Sequence, residues 1–376
     1  MTATITFHPL GNADCTIFDL ADHRLVVFDF ADVRNSEDED DQRCDLDAEL
    51  KSALRRAGQD SVAVLCVTHL DDDHCHGIGD TFRLDHRTTF PGESRVSIGE
   101  LWVPAAAILE TNLTGDAALV QREAMHRLRQ GHGVRVFSRP ERLRPHLMAR
   151  AINFDAVAHL FVDAGTCVPG FELAGPERCE FFIHSPFASK QEDGTYIDRN
   201  ENSIVLQAVL REGTRDSRVL LASDVTHEAL ADIVRTSEYY GNAHRLEWDL
   251  IKLPHHCSYL SIGPERGTGD AATVPIPETK RLFEDYRADN AVIVSTSWSI
   301  PKAGTAADRD KQPPHRQAAN YHRRLGRDAA FRVTMEQPST AQPKPFGYKA
   351  TAAGIAAVLA APNAAAQTAR SNPRAG

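Results

Sequence analysis

The sequence has no CxxC pair and no even, clustered set of cysteines. Its seven cysteines, Cys15, Cys44, Cys66, Cys75, Cys167, Cys179 and Cys257, are odd in number and scattered. That disfavours a disulfide framework and favours a reducing compartment. No stretch approaches the about 20 apolar residues that span a bilayer. The longest bland run, Ala350 to Ala361, is short and alanine-rich. Residues Met1 to His8 lack the basic region and apolar run of a signal peptide. A cytoplasmic protein with no membrane association is therefore expected. Positive charge is also scarce: 42 Lys and Arg against 52 Asp and Glu give a net charge of −10. A general nucleic-acid coat, which needs clustered cations along the phosphates, is excluded. An enzyme that admits a phosphodiester to a metal site is not, because bound metals supply local positive charge. No internal repeat with a solenoid period occurs.

What is present is an ordinary globular composition, 42% hydrophobic and 25% charged over 376 residues, enough to bury a large core. Short apolar runs at Ala3–Phe7, Cys15–Leu20 and Leu25–Phe30 predict consecutive strands, broken at Gly11-Asn12 and Asp22-His23. The acidic stretch Ser36 to Asp41 reads as a solvated loop. Leu46, Leu50 and Leu54 share one face of a helix predicted over 46–57. Val62–Val67 is a continuous apolar run, the pattern of a strand buried on both faces. Residues 83–175 read as a less regular, partly helical insertion. Within it Gly115 to Gln130 is a helix, and Arg139, Arg142, Arg144 and Arg150 form a basic stretch suited to an anionic substrate or to solvent. Strands are predicted again at 180–183, 203–210, 218–222, 249–253 and 291–294. Residues 337–376 read as a loose Pro/Ala-rich tail with a short Ala-rich helix, leaving 1–336 as one domain.

Strand after strand ends at a polar cluster. The run Val62–Val67 leads into His69-Leu70-Asp71-Asp72-Asp73-His74, two His and three Asp within six residues. Packing that many carboxylates and imidazoles into one turn is costly unless cations neutralise them. His69 and Asp71 can address one ion position, and Asp73 and His74 a second, with Asp72 facing outward or bracing a ligand. A dinuclear centre needs a bridging carboxylate and further imidazoles from other strands. Asp224 follows Val219-Leu220-Leu221-Ala222 and suits the bridge, although a helix N-cap is an equal reading. His255-His256 follow Ile251-Lys252-Leu253-Pro254. Adjacent side chains diverge, so one of the pair is expected to bind metal. His184 is a further candidate ligand or a satisfied structural histidine.

The order His69-x-Asp71-x-Asp73-His74, Ser223-Asp224, then Lys252-Leu253-Pro254-His255-His256-Cys257-Ser258 resembles the metallo-β-lactamase superfamily. Within it, the H-x-D-x-D-H form resembles the soluble nuclease-like domain of DNA-uptake competence proteins and its stand-alone relatives. Gly11-Asn12-Ala13-Asp14 resembles that branch's early G-x-G-D turn. Phe28-Asp29 resembles its strand ending in Asp, and Asn200 to Leu206 its N-x-N-S strand. The chain departs from the pattern with Ser223, Cys257, Ala13 and His76 where Gly is usual, and Cys257 could coordinate or crowd a metal. The resemblance implies an α/β fold, a four-layer αβ/βα sandwich of two mixed β-sheets flanked by helices, with the site along one edge.

It also implies a dinuclear metal-dependent hydrolase that uses a metal-activated water, with His69, Asp71, Asp73, His74, His184, Asp224 and His255 or His256 as metal ligands. Asp73, His74 and Asp224 would also carry the catalysis. His315 or Ser297 would bind substrate or protonate the leaving group, and Thr68 would support the first ligand turn. Two divalent ions are expected, Zn²⁺ first and Mn²⁺ as its competitor, because Asp71 in place of an imidazole hardens the site. The favoured substrate is a phosphodiester, in nucleic acid or a nucleotide. The alternatives are a non-phosphate ester, lactone or amide on the same centre, or a metal-stabilised sensor or scaffold in a multiprotein, for instance defence, system.

Overall fold

A computed structural model describes residues 2–87, 95–191, 198–325 and 330–358. In chain order its strands are β1 (Thr4–Phe7), β2 (Thr16–Asp19), β3 (Leu25–Phe28), β4 (Ser61–Cys66), β5 (Ser97–Pro104), β6 (Val134–Phe137), β7 (Phe161–Val162) and β8 (Cys179–Ser185). They continue with β9 (Val205–Glu212), β10 (Arg215–Leu221), β11 (Trp248–Lys252), β12 (Arg287–Ser295), β13 (Phe331–Val333), β14 (Phe346–Thr351) and β15 (Gly354–Val358). The described residues form a nine-stranded sheet, β15-β14-β1-β2-β3-β4-β5-β6-β7, and a six-stranded sheet, β13-β12-β11-β10-β9-β8. Both are mixed. In the first, β3 to β7 are parallel and the remaining pairs antiparallel. In the second, β10 to β13 are parallel and β8 to β10 antiparallel.

Alternation along the central strands explains why the sheets stack. In β4 and the residue after it, Val64 and Cys66 face the six-stranded sheet, whereas Leu65 and Val67 face helices on the other side. A strand with two apolar faces can only sit between two layers. The inter-sheet core is aromatic: Phe28, Trp102, Phe171 and Phe181 meet with ring centroids 5.0–6.3 Å apart. Each such ring stabilises the core by about 1.5–3 kcal/mol through burial, and its edge contacts add ~1 kcal/mol.

Helices close both outer faces. Leu46, Leu50 and Leu54 of the helix Leu46–Ala57, with Val120, Ala124 and Leu128 of Gly115–Gln130, cover the nine-stranded sheet. Helix 46–57 is bounded as its sequence demands: Asp45 accepts from the Ala48 N–H at 2.9 Å, and Gly58 ends it at φ +66°. Leu230, Ile233 and Val234 of His227–Tyr239, with Ala318 and Ala319 of Arg316–Leu325, cover the six-stranded sheet. The order helix, sheet, sheet, helix is the αβ/βα sandwich expected from the sequence.

Two stretches differ from expectation. Residues 83–175, expected to be less regular, supply β5, β6 and β7 to the nine-stranded sheet alongside the expected helix Gly115–Gln130. Of the four arginines of the basic stretch, Arg144 pairs with Asp155 at 2.7 Å, Arg139 pairs with Asp163, and Arg150 donates to the His146 carbonyl at 3.1 Å. Residues 346–358, expected in a loose tail, form the β14–β15 hairpin, with β14 antiparallel to β1. Tyr348 and Ala350 alternate into the inter-sheet core, a two-residue period that the alanine-rich composition conceals. Residues 359–376, the rest of that stretch, lie outside the described residues.

Candidate metal centre

The polar strand ends converge at one edge, where β1, β3, β4, β10, β11 and β12 all terminate. Donor atoms of Asp14, His74, Asp224 and His256, all buried, lie within 4.8 Å of one another, as do those of His69, Asp73 and His74. His74 Nε2 is 3.3 Å from Asp224 Oδ1 and 3.8 Å from Asp14 Oδ2. His256 Nε2 is 3.3 Å from Asp73 Oδ2 and 3.5 Å from Asp224 Oδ2. Asp224 thus presents one oxygen to each imidazole. Asp72 is exposed, so it faces outward.

Neighbouring groups decide which imidazole nitrogen is available. Asp29 Oδ2 lies 2.9 Å from His74 Nδ1 and can only accept, so Nδ1 carries the hydrogen. Asp29 is itself fixed by the N–H of Thr68 at 2.7 Å and its hydroxyl at 2.9 Å. His256 Nδ1 donates to the Thr296 carbonyl at 2.7 Å. Both Nε2 atoms therefore face carboxylates, to which they can donate when protonated and beside which they can bind an ion when not. Ser223 Oγ donates to Thr68 Oγ1 at 2.7 Å and ties the turn after β10 to that after β4.

Such a group needs positive charge at its centre. Burial pushes the His74 imidazole down, but Asp224 and Asp29 outweigh it and hold it protonated well above its usual value. Burial likewise opposes His256, which Asp224 and Asp73 raise to about 9. Burial works against ionisation of Asp224, yet His256 and His74 pull it well below the ordinary carboxylate range. Lys252, buried at the end of β11, pairs with Asp14. Burial opposes its charge, and the Asp14 and Asp224 carboxylates more than restore it. Asp14 Oδ1 is buried with no hydrogen-bond partner, and His69 Nε2, His74 Nε2 and Asp224 Oδ1 have only ion-pair contacts of 3.3–3.8 Å. Imidazole and carboxylate donors converging in this way fit a divalent ion of the Zn²⁺ or Mn²⁺ type.

The 254–257 turn shows how the His pair is divided. His255, His256 and Cys257 have φ of +47°, +51° and +66°, a left-handed run that costs on the order of 1 kcal/mol per residue without glycine. The turn aims His256 into the cluster and leaves His255 beside it. His255 Nδ1 is buried without a partner, and burial lowers its pKa. Cys257 belongs to neither donor group. Burial pushes its thiol up to about 12.

Other expected site residues are not brought in. His184 lines a separate cavity of ≈ 510 Å³ with Phe182, Phe187 and Tyr240. Its Nε2 meets the Arg245 carbonyl at 3.0 Å and its Nδ1 the Ser237 hydroxyl at 3.4 Å, leaving neither nitrogen for a metal. His315 Nδ1 accepts the Tyr259 N–H at 3.3 Å, and its Nε2 donates to the Lys311 carbonyl at 3.1 Å. Burial lowers its pKa to about 4, and its Nδ1 braces the 254–259 turn. Ser297 Oγ is engaged by Ser295 Oγ at 2.8 Å and by the Trp298 carbonyl at 2.9 Å. Asp71 stands at the edge: one oxygen is 3.4 Å from His69 Nε2, and the other accepts from Arg199 at 2.6 Å.

Asp14 and Lys252 were not assigned as site residues from sequence, although both lie in the motifs quoted above. Asp14 ends the Gly11-Asn12-Ala13-Asp14 turn, and its N–H donates to the Asp73 carbonyl at 2.8 Å. No protein-family model matches the chain, and no curated protein matches it. Among solved structures it is similar to a B3 metallo-β-lactamase with an active-site glutamic acid, at 13% identity over 67% of this chain and 79% of that chain, with a TM-score of 0.28. No helix among the described residues is long and apolar enough to cross a membrane.

Proposed function

We propose that the chain is a metal-dependent hydrolase of the metallo-β-lactamase superfamily and that phosphodiesters are its substrate class. The observation that carries the hydrolase reading is the pair of imidazoles, His74 and His256, whose Nδ1 hydrogens are spent on Asp29 and Thr296 while their Nε2 atoms converge on Asp224. His74, His256, Asp14 and Asp224 would hold one ion, and His69 with Asp73 would hold a second. A divalent ion here supplies Lewis acidity, drawing the pKa of a water toward about 7 and offsetting charge on a reacting oxygen.

The chain's own groups supply the rest. Asp29 and Thr296 keep the two imidazoles oriented. Asp73, partly exposed and hydrogen-bonded to His256, can accept a proton at its carboxylate. His255 sits beside the cluster, its Nδ1 buried without a partner and its pKa lowered by burial. Lys252 offsets the charge of Asp14 within the buried cluster. The sequence order His69-x-Asp71-x-Asp73-His74 supports phosphodiesters as the substrate class.

The test is turnover by the metal-loaded protein of a chromogenic phosphodiester, a lactone and a β-lactam, with Asp224→Ala as the control. The expected result is cleavage of the phosphodiester by wild type and a loss of at least 100-fold in the variant. Cleavage of the lactone or β-lactam alone would remove the phosphodiesterase reading and leave the hydrolase standing. Equal turnover by wild type and Asp224→Ala would remove both.

A further inference from the structure

The two donor groups at the centre are not equivalent, and Arg199 is the reason. The inner group, Asp14, His74, Asp224 and His256, is buried and has four donors of its own. The outer group, His69, Asp73 and His74, shares His74 with it. His74 has only one nitrogen to give, because Nδ1 is committed to Asp29. An outer ion is then left with His69 and Asp73, and Asp71 is the nearest carboxylate that could complete its shell.

Asp71 is already engaged. Arg199 Nη1 donates to Asp71 Oδ1 at 2.6 Å and to the Leu70 carbonyl at 3.0 Å, so the guanidinium grips both side chain and backbone of the ligand turn. Glu110 anchors the other side of that guanidinium: Arg199 Nε reaches its two oxygens at 3.0 and 3.1 Å, and Nη2 reaches Oε1 at 2.6 Å. Glu110 is positioned in turn, its carbonyl receiving Gln121 Nε2 at 2.8 Å. Planar, forked pairing of this kind is specific as well as strong. A dication entering beside His69 would have only Asp71 Oδ2, 3.4 Å from His69 Nε2, to draw on, and would meet the Arg199 charge at short range.

We propose that Arg199, anchored by Glu110, occupies one oxygen of Asp71 and offsets its charge at the outer ion position, so that the chain binds one divalent ion tightly and a second far more weakly. The proposal rests on the metal reading above and concerns only how that centre is filled. Arg199 acts here as a positioning residue that sets stoichiometry through Asp71.

The test is equilibrium dialysis of the full chain against Zn²⁺, and separately Mn²⁺, with bound metal counted by elemental analysis. Wild type is expected to retain one ion per chain, with the second at least tenfold weaker. Arg199→Gln should tighten the second ion at least tenfold and leave the first unchanged. Arg199→Lys, which keeps the charge but loses the forked grip on Asp71 and Glu110, should shift the second ion the same way by a smaller factor, and serves if Arg199→Gln fails to fold. The double variant Arg199→Gln/Asp71→Asn should lose the gain. Two ions of equal affinity in wild type would overturn the clamp while leaving the metal centre intact. So would a second ion that ignores both single substitutions. No ion retained by folded wild type would overturn the metal centre and the clamp with it.

Discussion

Asp29 Oδ2 lies 2.9 Å from His74 Nδ1, and this contact between the ends of two neighbouring strands decides which imidazole nitrogen faces the cluster. Carboxylates behind ligating histidines fix the tautomer and raise the basicity of the ring. Asp29→Ala is therefore expected to weaken the inner ion by about 10–100-fold, read by isothermal titration with Zn²⁺. Asp29→Asn keeps an acceptor and should lose less. Unchanged affinity in Asp29→Ala would show that His74 is oriented by something else.

The pH dependence has a definite sign. The folded chain raises the His256 pKa from 6.5 to about 9. A group raised on folding stabilises fully below its unfolded value, and that contribution is lost as pH climbs through the folded one. The metal-free protein should thus lose on the order of 1–3 kcal/mol from this histidine between pH 6.5 and 9. Metal affinity should move the other way, because an ion must displace the protons on His256 and His74. Calorimetric melting with and without Zn²⁺ should show a Tm gap that widens across this window. A gap that narrows would mean that the imidazoles are not the ligands.

Much of this centre is legible in the sequence where a buried strand stops at a polar cluster. The run Val62–Val67 meeting His69 is one such abrupt change, and Ile251 to Leu253 meeting His255-His256 is another. What is not legible is pairing at a distance. Asp71 and Arg199 are 128 positions apart, and neither motif announces the other. Asp14 has the local look of any solvated turn until β1 and β11 bring it beside Lys252. His184 and His315 mislead for the opposite reason: each stands at a strand or helix end like a ligand, yet its ring is consumed by backbone carbonyls and amides. The β14–β15 hairpin was hidden because alanine suggests helix, while strand formation there depends on Tyr348 and Ala350 reaching a core built elsewhere.

His184 and His256 provide a contrast within one residue type. His184→Ala should leave metal content unchanged and cost about 1–3 kcal/mol of stability, since the Arg245 carbonyl loses its buried partner. His256→Ala should remove the inner ion. Elemental analysis beside chemical denaturation separates the two outcomes. Loss of metal in His184→Ala at unchanged fold would return His184 to the ligand set.

Gly11 links the rim of the centre to Trp298. It adopts φ +70°, and a Cβ there would stand 2.5 Å from Trp298 Cε2. The next residue, Asn12, receives the Trp298 N–H at 3.2 Å and donates to the Pro313 carbonyl at 2.5 Å. Asp14 follows at the inner group, so displacing the indole should disturb a metal donor as well as the turn. Gly11→Ala is expected to cost about 2–4 kcal/mol, combining the left-handed backbone and the overlap. Gly58→Ala is the matched control, with φ +66° and nothing within 4 Å of its Cβ, and should cost only about 1 kcal/mol. Trp102 and Trp248 are fully buried whereas Trp298 is 44% exposed. A displaced Trp298 should therefore appear as a red-shifted emission in Gly11→Ala alone, together with weaker Zn²⁺ binding. Equal stability losses in the two variants, with unshifted emission, would show that the indole does not rest on Gly11.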